Sequence, residues 1–318
     1  MLSIINRLKP IMAAFSGVKF IYHHSTILQN IIENRQHNYY KNLHPEKYPQ
    51  ELAKWYHSVT GKQLNLDNPK TFDEKIQWMK LYDSTPMKTQ LADKYLVRDY
   101  VTEKIGEEYL IPLLGVWDSF DEIDFDILPN QFVLKANHGS GWNIIVRDKS
   151  EFNWKDAKKK FDKWMNTNFA YKAGLELHYK NIRPKIIAEK YLENEVGDLY
   201  DYKILCFSGL AEYVWVDYGR YSNHHRDVYD RNWNLQPFTI IYPNSGKAVT
   251  VPSKLKELLE LAEKLATGFS HVRVDFYIVG DNIYFGEMTF TSNNGVNRIV
   301  PEEYSSVLGD KIVLPLKM

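Results

Sequence analysis

The stretch His271–Phe290 reads HVRVDFYIVGDNIYFGEMTF. Apolar and polar residues alternate on both sides of Gly280-Asp281-Asn282, the pattern of two strands in an antiparallel hairpin. A three-residue loop over Gly280–Asn282 pairs Val279 with Ile283. Counting back from that pair sets Asp275 opposite Glu287, with Arg273 and Thr289 on the same face. Like charges directly opposite one another destabilise a sheet. Solvent exposure relieves that repulsion, and so does a divalent cation held by the pair. Val272, Val274, Phe276 and Phe285 read as the packed side of an internal hairpin, which favours the cation. Carboxylate oxygens suit magnesium, which takes one or two protein carboxylates and fills its shell with phosphate oxygens and water. Asp275 and Glu287 are therefore the candidate metal ligands.

Upstream, Gln131–Asn137 (QFVLKAN) reads as a short buried strand, followed by the loop His138–Asn143 (HGSGWN) and a strand at Ile144–Val146. Strand, glycine loop and strand make a mobile flap whose backbone N–H groups can approach phosphate oxygens. The loop lacks the GK[ST] ending of a Walker motif, and no GxGxxG stands before a helix. Lys135 lies on an apolar strand, where a lysine needs an anionic partner. The segment Lys185–Leu192 (KIIAEKYL) is a further strand. Read alone it is an edge strand with solvated Glu189 and Lys190, running into a linker over Glu193–Tyr200.

The 318 residues carry 40 Lys+Arg against 40 Asp+Glu. That zero balance argues against a nucleic-acid partner. Hydrophobic residues make up 44% and charged residues 25%, which excludes wholesale disorder. Cys206 is the only cysteine, so an internal disulfide and a Cys-rich zinc site are excluded and a cytoplasmic location is expected. No apolar run reaches the length of a membrane span. The opening 22 residues, mildly apolar with Arg7, Lys9 and Lys19, read as a helical arm packed on the body; a peripheral contact at the inner face of the membrane is the sharper alternative.

The expected division is a helical extension over residues 1–85, a unit with the glycine flap over 86–192, and a unit with the metal site over 193–318. Thr71 and Glu74 form a capping box ahead of Phe72, Ile76 and Met79. A second helix is expected over Thr89–Lys104, with others over 154–169 and after Ser253, the last ending at Gly268. Strands are expected at Tyr202–Phe207 and Glu212–Val216, and the acidic run Asp118–Asp126 as a solvated loop.

In this order the pieces resemble the ATP-grasp fold, an α/β (α+β) architecture of two sheet-and-helix units around a nucleotide cleft. More narrowly they resemble its TupA-like branch. The resemblance runs over about residues 60–300, through Asn68–Asp83, Leu91–Val101, FVLKANHGSGWN, EKYL with Asp201-Tyr202-Lys203, and the RVDFY…GEMTF hairpin. It implies ATP and Mg2+ as cofactors. It implies that Lys94 and Lys135 hold phosphates and that the flap, with His138, Gly139, Ser140 and Gly141, closes over them. Glu189, Lys190 and Leu192 would form the adenine hinge. Asp201, with Glu195 competing, would bind ribose, with Lys203 beside it. Arg273 would steady charge on the transferred phosphoryl group. Many ATP-grasp enzymes have Glu-x-Asn at the last metal position; here residue 289 is Thr, leaving Asn293 or Asn294 as the substitute. The alternating strand–helix unit usual at the amino terminus is not visible.

The activity implied is carboxylate–amine ligation through an acyl phosphate. The branch is associated with capsular and related surface polysaccharides, which suggests an amino acid joined to a uronic-acid carboxyl. Tyr218–Trp233 supplies Arg220, Arg226 and Arg231 among aromatic rings; it is either a carboxylate- and sugar-binding segment or an ordinary polar hairpin. A glycosyltransferase is the alternative, since members often carry that label and Asp124-Phe125-Asp126 spells DxD. A sugar kinase and a non-catalytic binding module complete the set.

Overall fold

The computed structural model describes residues 32–194, 199–219, 224–246 and 249–317. The expected arm at 1–22, Glu195 and Arg220 lie outside the described residues.

Two antiparallel sheets organise the chain. The first contains β1 (Leu113–Trp117), β2 (Phe132–Ala136), β3 (Asn143–Val146) and β4 (Ile186–Lys190), in the order β1-β4-β2-β3. The second contains β5 (Asp201–Phe207), β6 (Leu210–Tyr218), β7 (His225–Asp230), β9 (His271–Val279) and β10 (Asn282–Thr289), in the order β10-β9-β5-β6-β7. Two short strands, β8 (Thr239–Ile240) and β11 (Ile299–Val300), pair separately.

After a helical stretch at 32–41, the helices used below are α1 (Tyr48–Thr60), α2 (Phe72–Tyr82), α3 (Pro86–Ala92), α4 (Val97–Lys104), α5 (Trp154–Met165), α6 (Leu255–Ala266) and α7 (Glu303–Asp310). Thr71 and Glu74 cap α2 reciprocally, as the sequence predicts. The helix expected over Thr89–Lys104 is broken. Asp93 Oδ1 accepts the backbone N–H groups of Tyr95 and Leu96 at 2.8 and 3.2 Å, and this local turn outcompetes helix continuation. The break separates α3 from α4 and sets Lys94 on the connecting turn.

Alternation along β5 and β9 divides their side chains. Tyr202, Ile204, Cys206, Val272, Val274 and Phe276 pack under α6 with Leu258, Ala262 and Leu265. Asp201, Lys203, Arg273 and Asp275 occupy the other face. Val97, Tyr100 and Val101 of α4 join this same core. Phe72, Ile76 and Met79 of α2 pack with Leu205, Phe207 and Trp215 of the second sheet and with Leu308 of α7. Residues on both sides of position 85 thus share cores with the carboxyl-terminal strands. The first sheet has its own core, in which Phe132 and Leu134 meet Phe161 and Trp142.

Candidate functional site

The hairpin reaches its expected pairing by an unexpected route. The turn holds two residues, so Asn282 pairs with Val279 and Phe285 with Phe276. A bulge at Gly286 then shifts the register by one, restoring Glu287 opposite Asp275 and Thr289 opposite Arg273. A bulge adds one residue to one strand and re-aims the side chains that follow. Without it, Glu287 would point to the other face.

Arg273 ties the pair together. Its guanidinium donates to Asp275 Oδ1 and Oδ2 at 2.7 and 2.8 Å, to Glu287 Oε1 at 2.9 Å and to Thr289 Oγ1 at 3.0 Å. Lys203 donates to Asp275 Oδ2 at 2.8 Å and also to Asp201. Across the strand, Arg226 grips Asp217 with two parallel hydrogen bonds. Opposite charges therefore neighbour one another at this end of the face, while Leu205, Phe207, Trp215 and Val228 continue it as an apolar surface. Burial pushes the Asp275 carboxyl up, but Arg273 and Lys203 outweigh it and bring it down to about 2. Glu287 is also held below its ordinary value: Arg273 and Lys94 prevail over burial and over Asp275.

The donor set bears on a cation. No cluster of three or more His, Cys, Asp or Glu able to hold a metal exists among the described residues. Both oxygens of Asp275 face cationic groups, whereas Glu287 Oε2 takes no hydrogen bond among the described residues. Glu287 thus has an oxygen open to a cation delivered with phosphate oxygens, whereas Asp275 would join it only by releasing Arg273 or Lys203.

A cleft of about 580 Å³ lies between the sheets, lined by Val133, Lys135, Asn143, Ile145, Glu189, Lys190, Leu192 and Tyr277 among others. It gathers the expected hinge, one phosphate lysine and the flap strand around apolar walls. β4 is not an edge strand: β1, which the sequence did not reveal, pairs along its free side. Glu189 is consequently buried, and it takes both Lys135 and Arg98. The anionic partner that Lys135 requires is thus Glu189. Lys190 is exposed.

Lys94 joins this cleft to the hairpin. Its ammonium donates to the carbonyl of Gly139. Burial lowers its pKa, and Glu287, Lys135 and Glu189 all act on it electrostatically. The flap is anchored at both ends. A Cβ on Gly139 would lie 2.5 Å from Trp142 and 2.9 Å from Phe169, so only glycine fits there. His138 is buried, with its Nε2 3.0 Å from the Trp164 carbonyl oxygen; it anchors the loop to the body. Ser140 and Gly141 form the exposed tip.

Other expected residues lie elsewhere. Asp201 is buried against Lys203 and does not line the cleft. Arg226 is sandwiched over Trp215 and Tyr242, its ring-centroid distances 4.8 and 5.2 Å. With Asp217 filling its fork it is not poised for a substrate carboxylate. Tyr229 and Trp233 stack on each other at 4.3 Å, and Arg231 pairs with Glu263. The described part of this segment is a polar hairpin. Asp124 accepts the backbone N–H of Asp126 at 3.0 Å in an exposed loop apart from the hairpin carboxylates.

A second cavity, of about 260 Å³, opens beside Arg273, Glu287 and Thr289. Ser140, Lys172, Ala173, Glu176, Thr291 and Asn293 are among its other lining residues. The sequence flagged Ser140, Asn293 and Asn294 but missed Lys172, Glu176 and Thr291. Asn293, Asn294 and Gly295 all take positive φ, 48°, 57° and 63°. This left-handed turn is gripped from α2: Gln77 donates to the carbonyls of Asn294 and Gly295 at 2.9 and 2.7 Å, and Lys80 donates to the Asn294 carbonyl at 2.7 Å. A Cβ on Gly295 would sit 2.6 Å from Gln77 Nε2.

A family model described as TupA-like ATPgrasp matches residues 74–313. The chain belongs to the TupA-like ATP-grasp family. Its two antiparallel sheets flanking a cleft form the ATP-grasp fold of that family. A search of curated proteins finds no match. Among solved structures, the chain is similar to D-alanine–D-alanine ligase from Bacillus anthracis complexed with ATP, at 16% identity and TM-score 0.43, over 70% of this chain and 63% of that one. It is also similar to phosphoribosylamine–glycine ligase from Thermotoga maritima, at 13% identity and TM-score 0.39, over 64% and 48%. N5-carboxyaminoimidazole ribonucleotide synthetase from Thermus thermophilus matches at 12% identity and TM-score 0.37, over 63% and 45%. The chain spans less than two thirds of each. No helix among the described residues of this TupA-like protein is long and apolar enough to cross a membrane.

Proposed function

We propose that this protein is an ATP- and magnesium-dependent carboxylate–amine ligase that joins an amino acid to a uronic-acid carboxyl of a surface polysaccharide. The observation that carries the ligase reading is the cluster Arg273–Asp275–Glu287, in which Arg273 and Glu287 line the second cavity and Glu287 acts electrostatically on Lys94 beside the flap. In it the adenine packs between Val133, Ile145 and Tyr277, against the strand end at Lys190–Leu192. Lys94 and Lys135 neutralise phosphate oxygens, and Lys135 exchanges Glu189 for phosphate. Glu287, with Asp275 once released from Arg273 or Lys203, would hold magnesium, which would supply positive charge to those oxygens. Arg273 stands beside the phosphoryl group and offsets its charge as the substrate carboxylate attacks. The tip Ser140-Gly141 covers the acyl phosphate and excludes water. The amine then displaces phosphate, and the C–N bond forms as the acyl C–O bond breaks.

Thermal-shift measurements with ATP plus magnesium, and separately with UDP-glucuronate plus magnesium, test the reading. Stabilisation by the first alone supports it. Stabilisation by the sugar nucleotide alone would replace it with a glycosyltransferase. Identification of an amide product alongside ADP separates ligation from sugar phosphorylation, and mass spectrometry of the surface polysaccharide from a deletion strain tests the acceptor.

A further inference from the structure

Resting on the ligase reading, we propose that the second cavity seats the amino-acid substrate, with Glu176 receiving its ammonium group and Lys172 its carboxylate. The cavity opens onto Arg273 and Glu287, where the acyl phosphate would form. Glu176 is 7% exposed. Its Oε1 accepts the Thr291 hydroxyl, and its Oε2 takes no hydrogen bond among the described residues. No lysine or arginine among them lies within ion-pair distance of it. The nearby ammonium of Lys80 is diverted to Gln77 Oε1 and to Asn294.

That second oxygen is not one of the fully buried unpartnered atoms; it is open to the cavity that Glu176 lines, where a ligand's donor can reach it. An ammonium brings three donors and the compensating charge. Burial raises the pKa of Glu176, against the pull of Lys80, which marks a group that gains from a cationic neighbour. Lys172, whose charge also reaches Glu176, lies exposed over the rings of Phe169 and Trp142 at 5.6 and 5.9 Å, without a carboxylate in ion-pair contact among the described residues. Besides the Arg273–Glu287 pair, the cavity lining thus presents the buried carboxylate of Glu176 and the exposed ammonium of Lys172, one charge of each sign for a zwitterion. Its volume falls just below the roughly 300–1,000 Å³ of drug-sized ligand pockets, which suits an amino acid and not a saccharide chain.

Calorimetry on the full chain loaded with ADP and magnesium tests this. Each standard L-amino acid is titrated in one arm, glucuronate and galacturonate in another. At least one amino acid is expected to bind. Glu176→Gln should weaken it tenfold or more while ADP still binds, and Ala173→Phe, which fills the cavity from its wall, should do the same. Lys172→Ala should weaken the amino acid but not the corresponding decarboxylated amine. The proposal is overturned if ADP binds and no amino acid does, or if the amino acid binds both cavity variants as it binds wild type. Failure of ADP itself to bind would instead remove the ligase reading on which the proposal stands.

Discussion

Gly286 is pressed against the carbonyl of Asp275: a Cβ at position 286 would lie 3.1 Å from that oxygen and 3.2 Å from the Tyr277 ring. The bulge that aligns the two carboxylates therefore depends on a residue without a side chain. Gly286→Val is expected to cost about 1–3 kcal/mol through overpacking and to misplace Glu287. Thermal unfolding reads the first effect and calorimetry with magnesium-ATP the second. Unchanged nucleotide affinity in a destabilised variant would separate the bulge from the site.

Lys135 and Glu287 should fail differently. Lys135→Ala removes a charged hydrogen-bond donor to phosphate, worth about 1.5–3 kcal/mol, so ATP affinity should fall roughly tenfold to a hundredfold. Glu287→Gln keeps the size of the side chain and should retain ATP while abolishing turnover. Wild-type turnover in both would contradict the assignment.

Arg226 is expected to act in stability. Arg226→Ala leaves Asp217 buried without its guanidinium, a change that costs about 3–5 kcal/mol. Urea unfolding measures it. A full loss of turnover with unaltered stability would return this arginine to the substrate site.

Acid sensitivity should begin near neutrality. Burial drives both His178 and His271 down to about 3; Lys88 assists in each case, joined by Lys80 at His178 and by Arg273 at His271, while the Cys206 carbonyl opposes the shift at His271. A depressed folded-state pKa means that stability is fully present above about 6.5 and declines as pH falls towards 3, because the unfolded chain takes up protons that the folded chain refuses. The melting temperature should drop between pH 7 and 5, and His271→Leu should flatten that drop. An unaltered slope in the variant would show that His271 titrates freely.

The sequence exposed those parts of the fold governed by local rules. The capping box at Thr71, the period-two pattern of β9 and β10 and the glycine flap each declare themselves within a few residues. The pairing of Asp275 with Glu287 was legible only because a shorter turn and a bulge offset each other. What stayed hidden depends on distant partners. Lys80 and Gln77 look like the polar side of an amphipathic helix, and nothing local says that they are buried against Asn294. Glu176 sits between Leu175 and Leu177 with no motif around it. Arg226, read as a free guanidinium, has its partner on the neighbouring strand, where sequence distance conceals the pairing. Glu189 looked solvated because β1 covers it from more than seventy residues upstream.

The grip of Gln77 and Lys80 on the turn at Asn293–Gly295 makes the early helix a brace for the far end of the chain. A fragment begun at residue 86 would retain every charged group of the hairpin yet lose the prop beneath the wall next to it. Such a trimmed protein would be expected to grasp nucleotide with its second cavity fallen open, so dissection of this protein by truncation would mistake a collapsed wall for a missing catalyst.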